Sequence, residues 1–323
     1  MSIRSHMRSL LVALVVVALA GVATAQNVDS LRIMAPAGPG GGWDGTARAM
    51  QAALQDAGIV RQVEVFNVPG AGGTIGLAQL ATSEAGNGDI LMVMGLVMVG
   101  SILTNDAPVG LDQSTPIARL TAEYEVIVVP AASPFQTLAD LVAAFQADPG
   151  AVAFAGGSAG GIDHILVGLL AEETGVDPTA INYIPYSGGG EALAAILGSQ
   201  VAAGVSGYSE WAGQIEAGEL RVLSISSPER IDGIDAPTMI EQGIDLDIAN
   251  WRGVVAAPGL SDADRDALVS TVDALVASDQ WQAALTSNNW LDAYLGGDEF
   301  EAYLANEMTR VTDVLIGIGL VAE

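Results

Sequence analysis

The chain contains no cysteine. That excludes disulfides, thiol catalysis, cysteine-ligated zinc and a lipidated N-terminal cysteine. It also contains no lysine: all 11 basic residues are arginines, set against 38 acids, for a formal charge of −27. Such a surface disfavours nucleic acid and anionic membranes as partners. It suits saline surroundings, where salt screens self-repulsion. It also opposes an anionic ligand at long range, so capture of one would depend on local dipoles. Histidine is scarce. Beyond His6 only His164 remains, poor material for zinc or for a nucleophile–base pair. There is no G-x-S-x-G elbow and no G-K-[ST] phosphate loop. No catalytic residue, metal or cofactor is therefore expected. After residue 25 no apolar run is long enough to span a membrane, and the run at 90–99 is broken by Gly95.

The N-terminus has the form of a secretory leader. Arg4 and Arg8 precede an apolar stretch at 10–22, and Ala23-Thr24-Ala25 is an A-x-A cleavage site. Residues 1–25 are expected to be a cleaved signal peptide. The mature chain would begin at Gln26, be exported, and carry a formal charge of −29 without those two arginines.

What is abundant is glycine at strand–helix junctions. Residues 36–44 read P-A-G-P-G-G-G-W-D, between an apolar run at 31–34 and a helical pattern at 46–57. Asp44 is expected to be the helix N-cap. Glycines let backbone approach a ligand closely, and the first N–H groups of a helix lack internal partners at the positive end of its dipole. The pattern recurs at 69–74 (P-G-A-G-G-T), 156–161 (G-G-S-A-G-G) and 187–190 (S-G-G-G). Four such junctions imply several N–H nests converging on one small anion.

In order, the periodicity predicts strands at 31–34, 61–68, 90–94, 117–129, 151–155, 181–185, 201–205, 221–225 and 251–257. Between and after them it predicts helices at 46–57, 74–83, 96–103, 138–147, 162–173, 191–197, 210–216, 237–242, 261–276, 280–285 and 299–316. This alternation implies an α/β class with a mainly parallel sheet. Two units emerge, and the chain crosses between them near 123–129 and 250–255. Domain 1 is expected to be 26–124 plus 250–323, and domain 2 to be 125–249. Ligand sites favour the cleft between such domains.

The stretches G-G-S-A-G-G-I-D-H-I-L, I-N-Y-I-P-Y-S-G-G-G-E-A-L-A-A-I-L-G and V-A-A-G-V-S-G-Y resemble the substrate-binding proteins of tripartite tricarboxylate transporters. So do P-A-G-P-G-G-G-W-D, N-V-P-G-A-G-G-T-I-G and N-W-R-G-V-V-A-A-P. The resemblance covers the mature chain and is similar to the Bug-type periplasmic receptors. It implies a two-domain, type II (Venus-flytrap) periplasmic binding protein with two crossover strands. The ligand would be a small organic carboxylate, such as a di- or tricarboxylate, delivered to one large and one small integral membrane subunit. A monomer is expected. Carried onto this chain, the first-domain contacts would be Gly40, Gly41, Gly42, Trp43 and Asp44, with Ala71, Gly72, Gly73 and Thr74. The second-domain contacts would be Ser158, Ala159, Gly160 and Gly161, with Ser187, Gly188, Gly189 and Gly190. Tyr208 matches the family's wall, and Trp43 would help set ligand shape.

Side-chain roles stay open on sequence alone. Thr74, Ser158 and Ser187 can donate hydroxyls to a carboxylate or cap helices. His164 either makes a structural hydrogen bond or touches the ligand. Asp44 caps, or accepts from a ligand hydroxyl or water. Arg32, Arg48, Arg119 and Arg252 pair with a ligand carboxylate or balance surface acids. Glu123, Glu125 and Glu191 would repel an anion unless they bond to hydroxyls or point outward. The alternatives to a transport receptor are an exported α/β hydrolase acting on an anionic substrate and a sensory carboxylate receptor.

Overall fold

The computed structural model describes residues 29–322; the leader expected at 1–25 lies outside the described residues. The chain begins with β1 (Ser30–Ala35), α1 (Gly42–Asp56), β2 (Gln62–Asn67), α2 (Thr74–Thr82), β3 (Ile90–Gly95) and α3 (Leu96–Thr104). A long strand, β4 (Thr115–Pro130), leads into α4 (Leu138–Ala147), β5 (Ala153–Gly156), α5 (Ile162–Glu173), β6 (Asn182–Pro185) and α6 (Gly189–Leu197). Then come β7 (Ala203–Gly207), α7 (Tyr208–Glu216), β8 (Leu220–Ile225) and β9 (Ala249–Ala256). Helices α8 (Asp262–Val276) and α9 (Asp279–Ser287), strand β10 (Leu291–Gly296) and helix α10 (Gly297–Gly317) complete the chain.

One strand organises the sheet. The first part of β4, Thr115 to Tyr124, pairs with β9, and β10 pairs on the same stretch. From Glu125 onward β4 pairs instead with β7 and β8. The strand order β2-β1-β3-β9-β4-β7-β5-β6 thus runs through β4 from one half to the other. The expected mainly parallel sheet is corrected to a mixed one. Pairings β1–β2, β1–β3, β5–β6 and β5–β7 are parallel, but every pairing of β4 and β9 is antiparallel. The reason is that β4 runs out through both halves and the chain returns to the first half at β9, a path that β-α alternation does not reveal.

Local chemistry accounts for the elements. β3 reads I-L-M-V-M-G and is buried throughout, as a strand covered by helices on both faces must be. Thr137 caps α4 in a full capping box: its hydroxyl accepts from Asp140 N, and Asp140 Oδ2 accepts from Thr137 N at 2.9 Å. Thr137→Ala should lower stability by about 1 kcal/mol in a denaturant titration; an unchanged midpoint would show that the box contributes nothing. Ser261 caps α8 as expected. The short helix expected at 237–242 is only a 3-10 turn, Ile240–Gln242. β10 went unpredicted, because L-D-A-Y-L-G is only partly buried and lacks a clear alternation. Among the described residues no helix is long and apolar enough to cross a membrane.

Candidate functional site

The sequence places a helix directly after each glycine loop, and the sheet puts all those helix starts at one end. α1 begins at Gly42, four residues earlier than predicted, with Gly41 as its N-cap. α2 follows a 3-10 turn at Ala71–Gly73, α5 follows Gly161, and α6 follows Gly188. Their N-cap residues Gly41, Gly73, Gly161 and Gly188 all line a cavity of about 330 Å3 between the two halves of the sheet. From the first half it is lined by Gly41, Gly42, Trp43, Ala71, Gly72 and Gly73. From the second half it is lined by Ser158, Ala159 and Gly161, and by Ser187, Gly188 and Gly189. Gly72 has no substitute here: its φ is +59°, and a Cβ would run into the Ser101 hydroxyl.

The other expected residues do not line it, each for a local reason. Asp44 is not the N-cap, because the helix starts before it. Its Oδ2 accepts from Gly40 N and Arg48 Nε, and its Oδ1 from Asn67 Nδ2, each at 2.9 Å. Burial would raise its pKa, but the bonds from Arg48, Gly40 and Asn67 outweigh this and lower it. Asp44 therefore staples the loop from behind and consumes the Gly40 amide. Arg48 and Arg32 are likewise engaged by acids, Asp44 and Glu84. Thr74 turns its hydroxyl back to Ala71 O at 2.9 Å. Gly160 N donates to His164 Nδ1 at 3.3 Å, and the His164 ring stacks on Tyr183 with 4.1 Å between centroids. Burial lowers the His164 pKa to about 4, so the ring is neutral and structural. Gly190 is exposed. Tyr208 packs into the apolar cluster around Trp211 and Ile225.

Beside the expected contacts lies a floor of charged and polar groups, in which only Arg252 and Glu191 were candidates on sequence. Asp163, Glu191, Ser206, Glu210, Asn250 and Arg252 also line the cavity. Arg252 is not a surface counter-charge: it is 2 % exposed, contacts Glu123, and lies 3.5 Å from Glu210. It packs so closely against Gly42 that a Cβ there would overlap the guanidinium. Glu123 and Glu125 do not point outward. They are 2 % and 0 % exposed, behind the floor on β4. Ser209 Oγ donates to Glu123 and accepts from Trp290 Nε1 at 3.2 Å, tying the floor to the segment before β10. The available signal was an acid or arginine within an otherwise apolar strand, as in A-E-Y-E-V-I-V-V and N-W-R-G-V-V-A-A. A buried charge there must have a partner or a task.

Titration follows from this crowding. Burial pushes Glu210 up to about 8, against the pull of Arg252. Burial pushes Asp163 up to about 6, against the bond from Gly157 N. Burial, then Asp163 and Glu123, hold Glu125 well above the carboxylate range, and neither of its oxygens finds a donor among the described residues. The raised acids bind protons more tightly when folded, so the stability they contribute is present at low pH and lost as pH climbs through their folded pKa. His164 has the opposite sign, adding stability as pH rises from about 4 to 6.5 and nothing further above that. The ligand-free protein should therefore lose thermal stability from pH 6.5 to 8.5, and Glu210→Gln should flatten that slope. A scanning-fluorimetry profile that keeps its slope in Glu210→Gln would refute the assignment.

A family model described as the tripartite tricarboxylate transporter family receptor matches residues 46–320. The chain belongs to that family. The receptor is 30 % identical over 309 residues to protein BugT of Bordetella pertussis, covering 93 % of this chain and 94 % of that one. Its fold is similar to the periplasmic binding protein BugD, with a TM-score of 0.82, 22 % identity, and 90 % and 98 % of the two chains covered. It is also similar to MatC from Rhodopseudomonas palustris, solved with bound malate, with a TM-score of 0.78, 22 % identity, and 88 % and 98 % covered. The receptor therefore has the two-domain α/β fold of periplasmic binding proteins and is a Bug-type solute receptor for a membrane transporter. The hydrolase alternative falls, because the family and these neighbours are solute-binding proteins.

Proposed function

We propose that the receptor captures a small organic carboxylate in this cavity and delivers it to the large and small membrane subunits of its transporter. The observation that carries this reading is the convergence of four helix N-termini, those of α1, α2, α5 and α6, on one cavity. Gly42, Trp43 and Asp44 are the first-turn residues of α1, whose N–H groups have no helical acceptor, and Gly188 and Gly189 open α6 in the same way. Such amides are worth about 1.5–3 kcal/mol each toward an anion. MatC, with malate, and a second neighbour solved with adipate show that this fold holds carboxylates. In this reading Ser158 and Ser187 add hydroxyl donors, and Trp43, 7 % exposed, walls the ligand.

The same reading divides the chain into lobes at 26–124 with 250–323, and at 125–249. The change of partners along β4, from β9 at Tyr124 to β7 at Glu125, supports those limits. The lobes close on the ligand by bending at β4 and at the segment entering β9. The mature receptor, freed of residues 1–25, works as a monomer. Native purification followed by mass spectrometry of the released small molecule tests the proposal. A carboxylic acid is expected at near one per chain; a neutral or purely cationic occupant would contradict it.

A further inference from the structure

We propose that the physiological ligand carries a protonated nitrogen as well as the carboxylate held by the glycine-loop amides, and that this ammonium group sits against Asp163, Glu210 and Asn250. The inference rests on the carboxylate-capture reading above and concerns what stands beside that carboxylate. The helix starts provide for one anion. The floor provides for the opposite charge. Asp163, Glu191 and Glu210 line the cavity, with Glu123 and Glu125 buried directly behind. The single basic group there, Arg252, already contacts Glu123 and stands 3.5 Å from Glu210. A second ligand carboxylate would enter among acids that already hold protons because of their crowding, with no free cation among the described residues of the cavity to pair.

Hydrogen-bond acceptors are also in excess. Asn250 Oδ1 and Glu210 Oε2 are buried and receive no hydrogen bond from the described residues, and Asn250 is only 6 % exposed. A buried polar atom without a partner is costly, and a ligand donor removes that cost. An ammonium group brings three donors and one positive charge. A hydroxyl brings one donor and no positive charge.

Proton linkage makes the two ligand types distinguishable. The groups facing Glu210 are Glu123 and Glu125 on β4, Asp163 on α5 and Arg252 on β9, with Tyr183 of β6 beyond Asp163 and the exposed Glu191 turned to Ser187 N. With Glu210 held up at about 8, its carboxyl is largely protonated at pH 7. An arriving ammonium lowers that affinity for protons and expels them; an arriving carboxylate draws them in.

The test is calorimetry on the mature chain at pH 7.5, in two buffers of different ionisation enthalpy. The probes are length-matched aminocarboxylates, hydroxycarboxylates, dicarboxylates and simple amines of three to eight carbons. The best aminocarboxylate should bind at least about tenfold tighter than the dicarboxylate of equal length and release protons. Glu210→Gln should cut that preference by about tenfold. If Glu210→Gln does not fold, the wild-type preference and proton count decide. Tighter dicarboxylate binding, net proton uptake, or no aminocarboxylate binding would overturn the inference while leaving carboxylate capture intact. Amines binding as tightly as aminocarboxylates would instead overturn carboxylate capture itself.

Discussion

Gly41→Asp is expected to weaken carboxylate binding by a hundredfold or more and leave the receptor at least as stable as before. Gly41 is the N-cap of α1 and lines the cavity, and its φ of −87° and ψ of 174° suit any residue. A Cβ there would meet nothing closer than Gly38 O at 3.8 Å. Aspartate is also among the best N-caps, better than glycine by a few tenths of a kcal/mol. The introduced carboxylate would accept from the first-turn amides of α1 and so occupy the place of the ligand's own carboxylate. It would add like-charge repulsion as well. Losing one or two amide bonds of about 1.5–3 kcal/mol each gives the stated factor, at about 1.4 kcal/mol per tenfold. Gly41→Ala serves as the control and should keep most of the affinity. Gly189 is a poorer probe, because a Cβ there would overlap Glu210 and confuse folding with binding. Calorimetry with the co-purified ligand is the measurement, and wild-type affinity in Gly41→Asp would place the anion somewhere else.

Arg252→Met should destabilise the receptor by about 3–5 kcal/mol, the largest loss expected from any single change in the floor. The substitution preserves much of the volume but leaves Glu123 buried without its cation, beside Glu125, Asp163 and Glu210. Those groups would have to take up protons, so the loss should be smaller at pH 5 than at pH 8. Adding Glu123→Gln to Arg252→Met should recover more than about 1 kcal/mol, because it removes the orphaned charge. Denaturant unfolding of the two single variants and the double variant reads this coupling. A loss under 1 kcal/mol in Arg252→Met at pH 8 would mean that the floor is already neutral without its arginine.

The sequence alone determined the α/β class, the glycine loops and their position at helix starts. It did so because those features are local: periodicity marks strands and helices, and glycine marks places where backbone must turn or come close. The family was legible for the same reason, since its motifs are those loops. The helix starts were misjudged by two to four residues, at Gly42 and Gly189, because glycines opening a helix read as loop. Asp44 was thereby taken for a cap when it is a staple.

The floor could be decided only by the tertiary structure. Glu123, Asp163, Glu210 and Arg252 come from β4, α5, α7 and β9, and nothing in their spacing predicts that they meet. The strands β4 and β9 bring them together by running antiparallel through the middle of the sheet. Once buried there, Glu125, Asp163 and Glu210 acquire charge states that no isolated segment has, because a low-dielectric interior penalises each uncompensated charge.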